Sequence, residues 1–314
     1  MARRLSMVPG VVLVAAAAAT WGTDALFRRP LAHSTSAATV VFGEHVLLVL
    51  LTLPLIVPAL IALARAGARY IVAAVAVGAG ASAVATILFT QAFVHGDPIT
   101  PVVLQKVQPL VAIVGARIVL GEEPRRRFAW FLLPALAGIW LIAFPHPLDI
   151  HARGMEPIVE ALGAAVLWGL GTVFGRYLSR RLSFEHIVTL RFSFGLVASA
   201  VALPILGASA YAGAHDSLWI AYLALVTGLA ALTLYYYGLK RTPAILASLA
   251  ELAYPVTAVI VGYVAFGASL RWTQWLGVLV TVGVVSLLPA PRRGTLVKVP
   301  AADARLAPAP APAA

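Results

Sequence analysis

Apolar residues gather into ten long runs: 7–26, 41–63, 70–94, 99–120, 128–145, 157–178, 186–207, 218–238, 244–265 and 272–290. Polar residues are confined largely to the short segments between them. Each run is near the ~20 residues that a helix needs to cross a bilayer. Unbroken apolarity over such lengths predicts helices, because a helix satisfies every backbone donor and acceptor within its own segment. Barrel strands would need short, alternating segments. The first run follows Arg3 and Arg4, as in a secretion signal, but it is span-length and nine more runs follow, so it reads as a retained helix.

The pattern also repeats. LQKVQPLVAIVGARIVLGE around Pro109 has a counterpart in AELAYPVTAVIVGYVAFGA around Pro255, with Pro109 to Gly121 spaced as Pro255 to Gly267. Trp21-Gly22 recurs as Trp168-Gly169 after nearly the same step. Five runs separate the two copies, and an odd number turns the second copy over in the membrane. The expected architecture is all-α and integral to the membrane, with ten transmembrane helices in two inverted five-helix repeats at 7–145 and 157–290. Residues 291–314 are rich in Ala and Pro and end LAPAPAPAA, which predicts a disordered cytoplasmic extension.

Composition agrees with lipid as the main solvent. The chain is 61% hydrophobic and 11% charged, against about half and a quarter in soluble domains. The net charge of +11 does not point to nucleic acid, because the basic residues are scattered between span-length runs. With the N-terminus inside, sixteen Lys and Arg fall on the cytoplasmic side, and only Arg28, Arg29, Arg153 and Arg271 fall outside. That bias predicts a multi-pass protein of the cell inner membrane with both termini cytoplasmic. The absence of cysteine excludes disulfides and thiolate metal sites. No histidine spacing makes a metal site, and no cofactor is implied.

The fourth-helix sequence, the two Trp-Gly pairs and TLRF at 189–192 together resemble the EamA family of the drug/metabolite transporter superfamily. The resemblance covers roughly residues 7–290. It implies two inverted five-helix repeats and transport of small metabolites, often export, by alternating access. Two departures stand out. Gly121-Glu122 becomes Gly267-Ala268 in the second copy, and the arginine of TLRF faces VLLVLL in the first.

The polar positions within the runs are the candidate chemistry. Gln105 and Gln108 share a helix face just before Pro109, and Glu251 and Tyr254 hold the matching places before Pro255. Proline removes a backbone hydrogen bond, so Pro109 and Pro255 are expected kinks that open a central cavity. Glu251 is the sharpest candidate: a carboxylate deep in an apolar helix is costly, and such acids are functional by default. It would bind a cationic or amino group, or a coupling proton. Trp21 and Trp168 read either as cavity walls or as packing beside glycine. Of Tyr235, Tyr236 and Tyr237, the last aligns with Gln91 and is expected to face inward, the others forming an aromatic belt. Lys106 either reaches the cavity or snorkels. Arg191 is a gate-side partner of Glu185 or Glu251, or a snorkelling anchor, the latter favoured. Glu44-His45 and Glu185-His186 form a repeated pair suited to proton coupling, set against the blander reading of solvated helix starts. Glu122, Glu123 and Arg125 to Arg127 read as a solvated, charged loop.

The leading function is a secondary transporter, in the export direction by resemblance, of an amino acid, amine or drug-like solute. No GxxxxGK[ST] motif is present for ATP hydrolysis. The expected partners are a small molecule and the lipid bilayer, with a coupling proton and a homodimer left open. A membrane enzyme would need His, Asp or Ser gathered at one membrane face, and the segment HPLDIHARGME at 146–156 fits no such pattern. A non-transporting sensor or assembly subunit would be favoured if Gln105 and Glu251 were packed with no cavity between them.

Overall fold

The computed structural model describes residues 8–31, 34–95, 104–144, 155–267, 269–290, 296–298 and 300. Helices dominate: α1 (Gly10–Trp21), α2 (Ala37–Ala66), α3 (Ala68–Ala92), α4 (Gln108–Leu120), α5 (Arg126–Ala143), α6 (Glu156–Leu178), α7 (Phe184–Ile205), α8 (Ala214–Leu239), α9 (Ala244–Ala265) and α10 (Trp272–Ser286). After a turn at 22–24 the chain of α1 continues helically over Ala25–Leu31. Among the described residues eight helices are long and apolar enough to cross a membrane, counting α1 through Arg28. The other two apolar helices, α4 and α10, are shorter than the expected spans. With 15 residues α10 rises about 22 Å, less than the ~30 Å hydrocarbon core.

The first helix of each half packs on the third and fourth helices of the other. Thus α1 lies on α8 and α9, and α6 lies on α3 and α4, while α2 crosses α7 and α5 crosses α10. The Trp-Gly pairs explain the close approach. A Cβ on Gly22 would come 2.5 Å from Thr257 Cβ and 2.7 Å from the Tyr254 carbonyl. One on Gly169 would come 2.9 Å from the Gln108 carbonyl. Small residues let the backbones touch where lipid offers no hydrophobic drive for helices to associate. The outer surface remains apolar, with Trp130 80% and Ile118 77% exposed. That is the surface of a multi-pass membrane protein.

Serines set the start of α2 and α7. Ser36 Oγ accepts the Thr39 N–H, and Ser183 Oγ accepts the His186 N–H. Glu44 stands as far after Ser36 as Arg191 stands after Ser183. The two Glu-His pairs are therefore not equivalent positions, and the structural counterpart of Glu44 is Arg191.

The extension expected to be disordered begins otherwise. Val297–Lys298 pairs antiparallel with Glu123–Pro124, and Leu296 and Val297 are buried. These apolar residues seat the segment against the α4–α5 connection. Residues 301–314 lie outside the described ones.

Candidate functional site

Both halves contribute to a cavity of about 210 Å³. Its walls come from α1 with the following turn and helical segment, α2, α3, α4 with the turn before it, and α6 to α9. The two prolines shape it. Pro109 has no N–H for the Gln105 carbonyl, so the Gln108 N–H takes that carbonyl in a 3₁₀ turn, Gln105–Val107. Pro255 likewise leaves the Glu251 carbonyl to the Tyr254 N–H at 3.0 Å. There α9 breaks between Ala244–Ala250 and Ala253–Phe266. The kinks expected at both prolines are thus tight turns that carry Gln105, Gln108, Glu251 and Tyr254 into the cavity wall.

Glu251 sits where four helices meet. One carboxylate oxygen accepts from Tyr235 Oη at 2.7 Å and Thr172 Oγ1 at 3.0 Å; the other accepts from Gln108 Nε2 at 2.5 Å. All three donors are neutral. Tyr235 stacks at an angle on Trp21, ring centres 5.1 Å apart, and Trp21 Nε1 donates to the Thr227 carbonyl at 2.9 Å. Trp168 meets Phe89 edge-on at 4.9 Å. Both tryptophans therefore line the cavity while their neighbouring glycines pack the helices, so the two readings of the pair hold together.

A second polar group joins the segment after α1 to α2. Arg28 donates Nε to Asp24 at 2.5 Å and Nη2 to Glu44 at 3.0 Å. Thr227 Oγ1 donates to Asp24 at 3.3 Å. Arg28 Nη1 is buried and has no hydrogen-bond partner among the described residues. The third group centres on Arg191, which donates Nε to Ser82 Oγ at 3.2 Å, Nη1 to Tyr236 Oη at 3.1 Å and Nη2 to the Ala81 carbonyl at 3.3 Å. Ser82 Oγ lies 3.0 Å from His45 Nε2, and His45 Nδ1 lies 2.7 Å from the Val41 carbonyl. A carbonyl only accepts, so Nδ1 carries a proton.

Most of the expected residues meet here: Trp21, Glu44, Gln105, Gln108, Pro109, Trp168, Arg191, Glu251, Tyr254 and Pro255 all line the cavity. Tyr237 does not. It packs edge-on against Phe184 and under the Arg241 guanidinium, and its neighbour Tyr235 takes the inward place. Tyr236 is fully buried rather than part of a belt. Both α3 and α8 carry a π-helical segment at matching places, Ala76–Val84 and Ala224–Ala230, and Phe89, the repeat partner of Tyr235, lines the cavity while Gln91, the partner of Tyr237, does not. Arg191 is a cavity residue, not a snorkelling anchor, and it makes no ion pair with Glu185 or Glu251. Glu44 and His45 are buried and not at a solvated helix start, whereas Glu185 is exposed. The side chain of Lys106 lies outside the described residues, as does most of the 146–156 segment.

Three residues escaped the sequence. Asp24 and Arg28 stand in what reads as a helix end and outer loop. Glu122, expected in solvent, is completely buried. It caps the helix start after Pro243, and because that helix is distant in sequence no local signal marks the role. Among the described residues no three His, Asp or Glu side chains gather as a metal site would require.

Comparison with known proteins fits this geometry. The model of the EamA-like transporter family matches residues 8–144 and again 156–288. The riboflavin transporter ImpX of Fusobacterium nucleatum is 28% identical over 282 residues, covering 85% of this chain and 93% of that protein. The uncharacterized transporter YwfM of Bacillus subtilis is 27% identical over 198 residues, covering 59% of this chain and 62% of its own length. A crystal structure of a protein 18% identical shares the fold, with a TM-score of 0.70 over 91% of this chain and 99% of that one.

Proposed function

The chain belongs to the EamA-like transporter family, and from that premise we propose that it carries a small organic solute through the cavity around Glu251 by alternating access. The observation that carries this reading is the cavity itself: a space walled by both repeats, with polar and charged side chains set in a mainly apolar lining and a carboxylate that accepts from three neutral donors. The same cavity speaks against a sensor or assembly subunit with a solid core. Aromatic walls at Trp21, Phe89, Trp168, Tyr235 and Tyr254 suit a flat or apolar body. Arg28 Nη1, buried and with no acceptor among the described residues, suits a solute oxygen such as a hydroxyl or carbonyl. Riboflavin, carried by the relative from Fusobacterium nucleatum, has this chemistry and heads the solutes to try. Amino acids and amines come next, with Glu251 receiving their ammonium group.

In this reading Glu251, Gln105, Gln108, Tyr254, Trp21, Trp168 and the Nη1 of Arg28 contact solute, Pro109 and Pro255 are the bending points, and Glu44 with Arg191 flank the path. The repeats are inverted, and both termini face the cytoplasm, as the sixteen-to-four distribution of basic residues favours. The test is flux of labelled riboflavin and of pooled amino acids and amines in right-side-out and everted vesicles. Flux of one solute above that of vesicles lacking the protein is expected, and the vesicle orientation gives its direction. No flux of any solute, with and without a pH gradient, would overturn the proposal.

A further inference from the structure

The cavity stops along α9 at Ser248 and along α7 at Arg191. Beyond them, toward the α4–α5 connection, the helices close on one another. Ala244, Ile245, Leu246 and Ala247 are fully buried and lie outside the cavity wall. Gly10 of α1 meets Gly238 of α8 backbone to backbone. Arg180, just past α6, donates Nη2 to the Leu120 carbonyl at 2.9 Å. Arg176 donates to the Leu239 carbonyl at 3.3 Å and to that of Lys240.

Glu122 lies at the centre of this closed end. Its two carboxylate oxygens accept the N–H groups of Ala244 at 3.0 Å and Ile245 at 3.1 Å. Glu122 belongs to the first family repeat and Ala244 to the second, so the contact ties the repeats together. Free N–H groups at a helix start are otherwise satisfied by water or a cap, and an anion there also meets the positive end of the helix dipole. The loop that carries Glu122 is held from behind. Glu123–Pro124 pairs with Val297–Lys298, and the Arg125 N–H reaches the Leu296 carbonyl at 2.8 Å. The second repeat has Gly267-Ala268 at the corresponding place and so offers no carboxylate.

We propose that Glu122 is a gating latch. Its carboxylate holds the start of α9 against the first repeat while the cavity lies toward the α1–α2 end. It lets go, leaving the two N–H groups to water, when the α4–α5 end opens. The latch acts at one end of the molecule only. This rests on the alternating-access reading above.

The chain has no cysteine, so single introduced cysteines report without background. Ala244→Cys places a thiol at the latch. Ala38→Cys places one in a separate buried cluster with Val41, Ala83, Ile87 and Leu203. The rate of reaction with N-ethylmaleimide, which crosses membranes, is measured in each with Glu122 intact, as Glu122→Gln and as Glu122→Asp. Losing a charge-assisted pair of hydrogen bonds is expected to speed labelling at 244 about tenfold in Glu122→Gln. Glu122→Asp should restore much of the protection, and labelling at 38 should not change. Equal acceleration at both sites would mean general loosening and would overturn the latch. So would unchanged labelling at 244. The readout needs no solute, so it stands or falls separately from the flux test.

Discussion

Glu44 and Glu251 face the same cavity, one from each repeat, and differ in what holds them. Glu44 is paired with Arg28, which also grips Asp24. A guanidinium can only donate, so this group is committed. Glu251 is held by two hydroxyls and an amide, each of which can turn from donor to acceptor. The committed acid ties the segment after α1 to α2. In the proposed transport cycle, the acid with exchangeable partners is the one that trades them for a solute. Two carboxylates facing one cavity are thus held in different ways.

The strongest way to break that comparison is Arg28→Ala. It leaves Asp24 and Glu44, both partly buried, without their cation and should cost about 3 kcal/mol, the low end for removing one partner of a buried pair. Thermal unfolding in detergent measures it, and an unchanged midpoint would show that the cluster is not structural. Next come Gly22→Val and Gly169→Val, the matched contacts of α1 on α9 and α6 on α4. Each should lose about 1–3 kcal/mol by overpacking. A large loss at one with none at the other would deny that the crossed packing is shared by the two halves. The smallest effect separates neighbouring tyrosines. Tyr235→Phe removes a hydrogen bond to Glu251, about 1 kcal/mol, and should slow flux several-fold. Tyr237→Phe should leave flux as it is, and the reverse order would put the wrong face of α8 in the cavity.

The helical, span-rich architecture and the repeat could be read from the run lengths and from the two proline–glycine spacings, because lipid demands long apolar helices whatever else they do. Gln105, Gln108 and Glu251 were legible too, since polar residues inside such helices have few reasons to exist. The misreadings have particular causes. Glu44-His45 and Glu185-His186 match as letters, but Ser36 and Ser183 set the helix starts, and the register they define pairs Glu44 with Arg191. Tyr237 gave way to Tyr235 because its repeat partner, Gln91, does not line the cavity either, whereas Phe89, the partner of Tyr235, does. Glu122 lies in the run GEEPRRR, where nothing local distinguishes the acid that turns inward from the exposed Glu123 beside it. Its partner, the start of α9, is joined to it only by the fold.

The central claim is that Glu251, rather than Glu44, meets the solute. The most direct measurement is initial flux of the transported solute in matched vesicles holding wild type, Glu251→Gln or Glu44→Gln at equal protein levels. Loss of a charged contact predicts that Glu251→Gln falls about tenfold or more, while Glu44→Gln, which still offers Arg28 an acceptor, keeps most of its flux. Full flux in Glu251→Gln, or a greater loss in Glu44→Gln, would contradict the account.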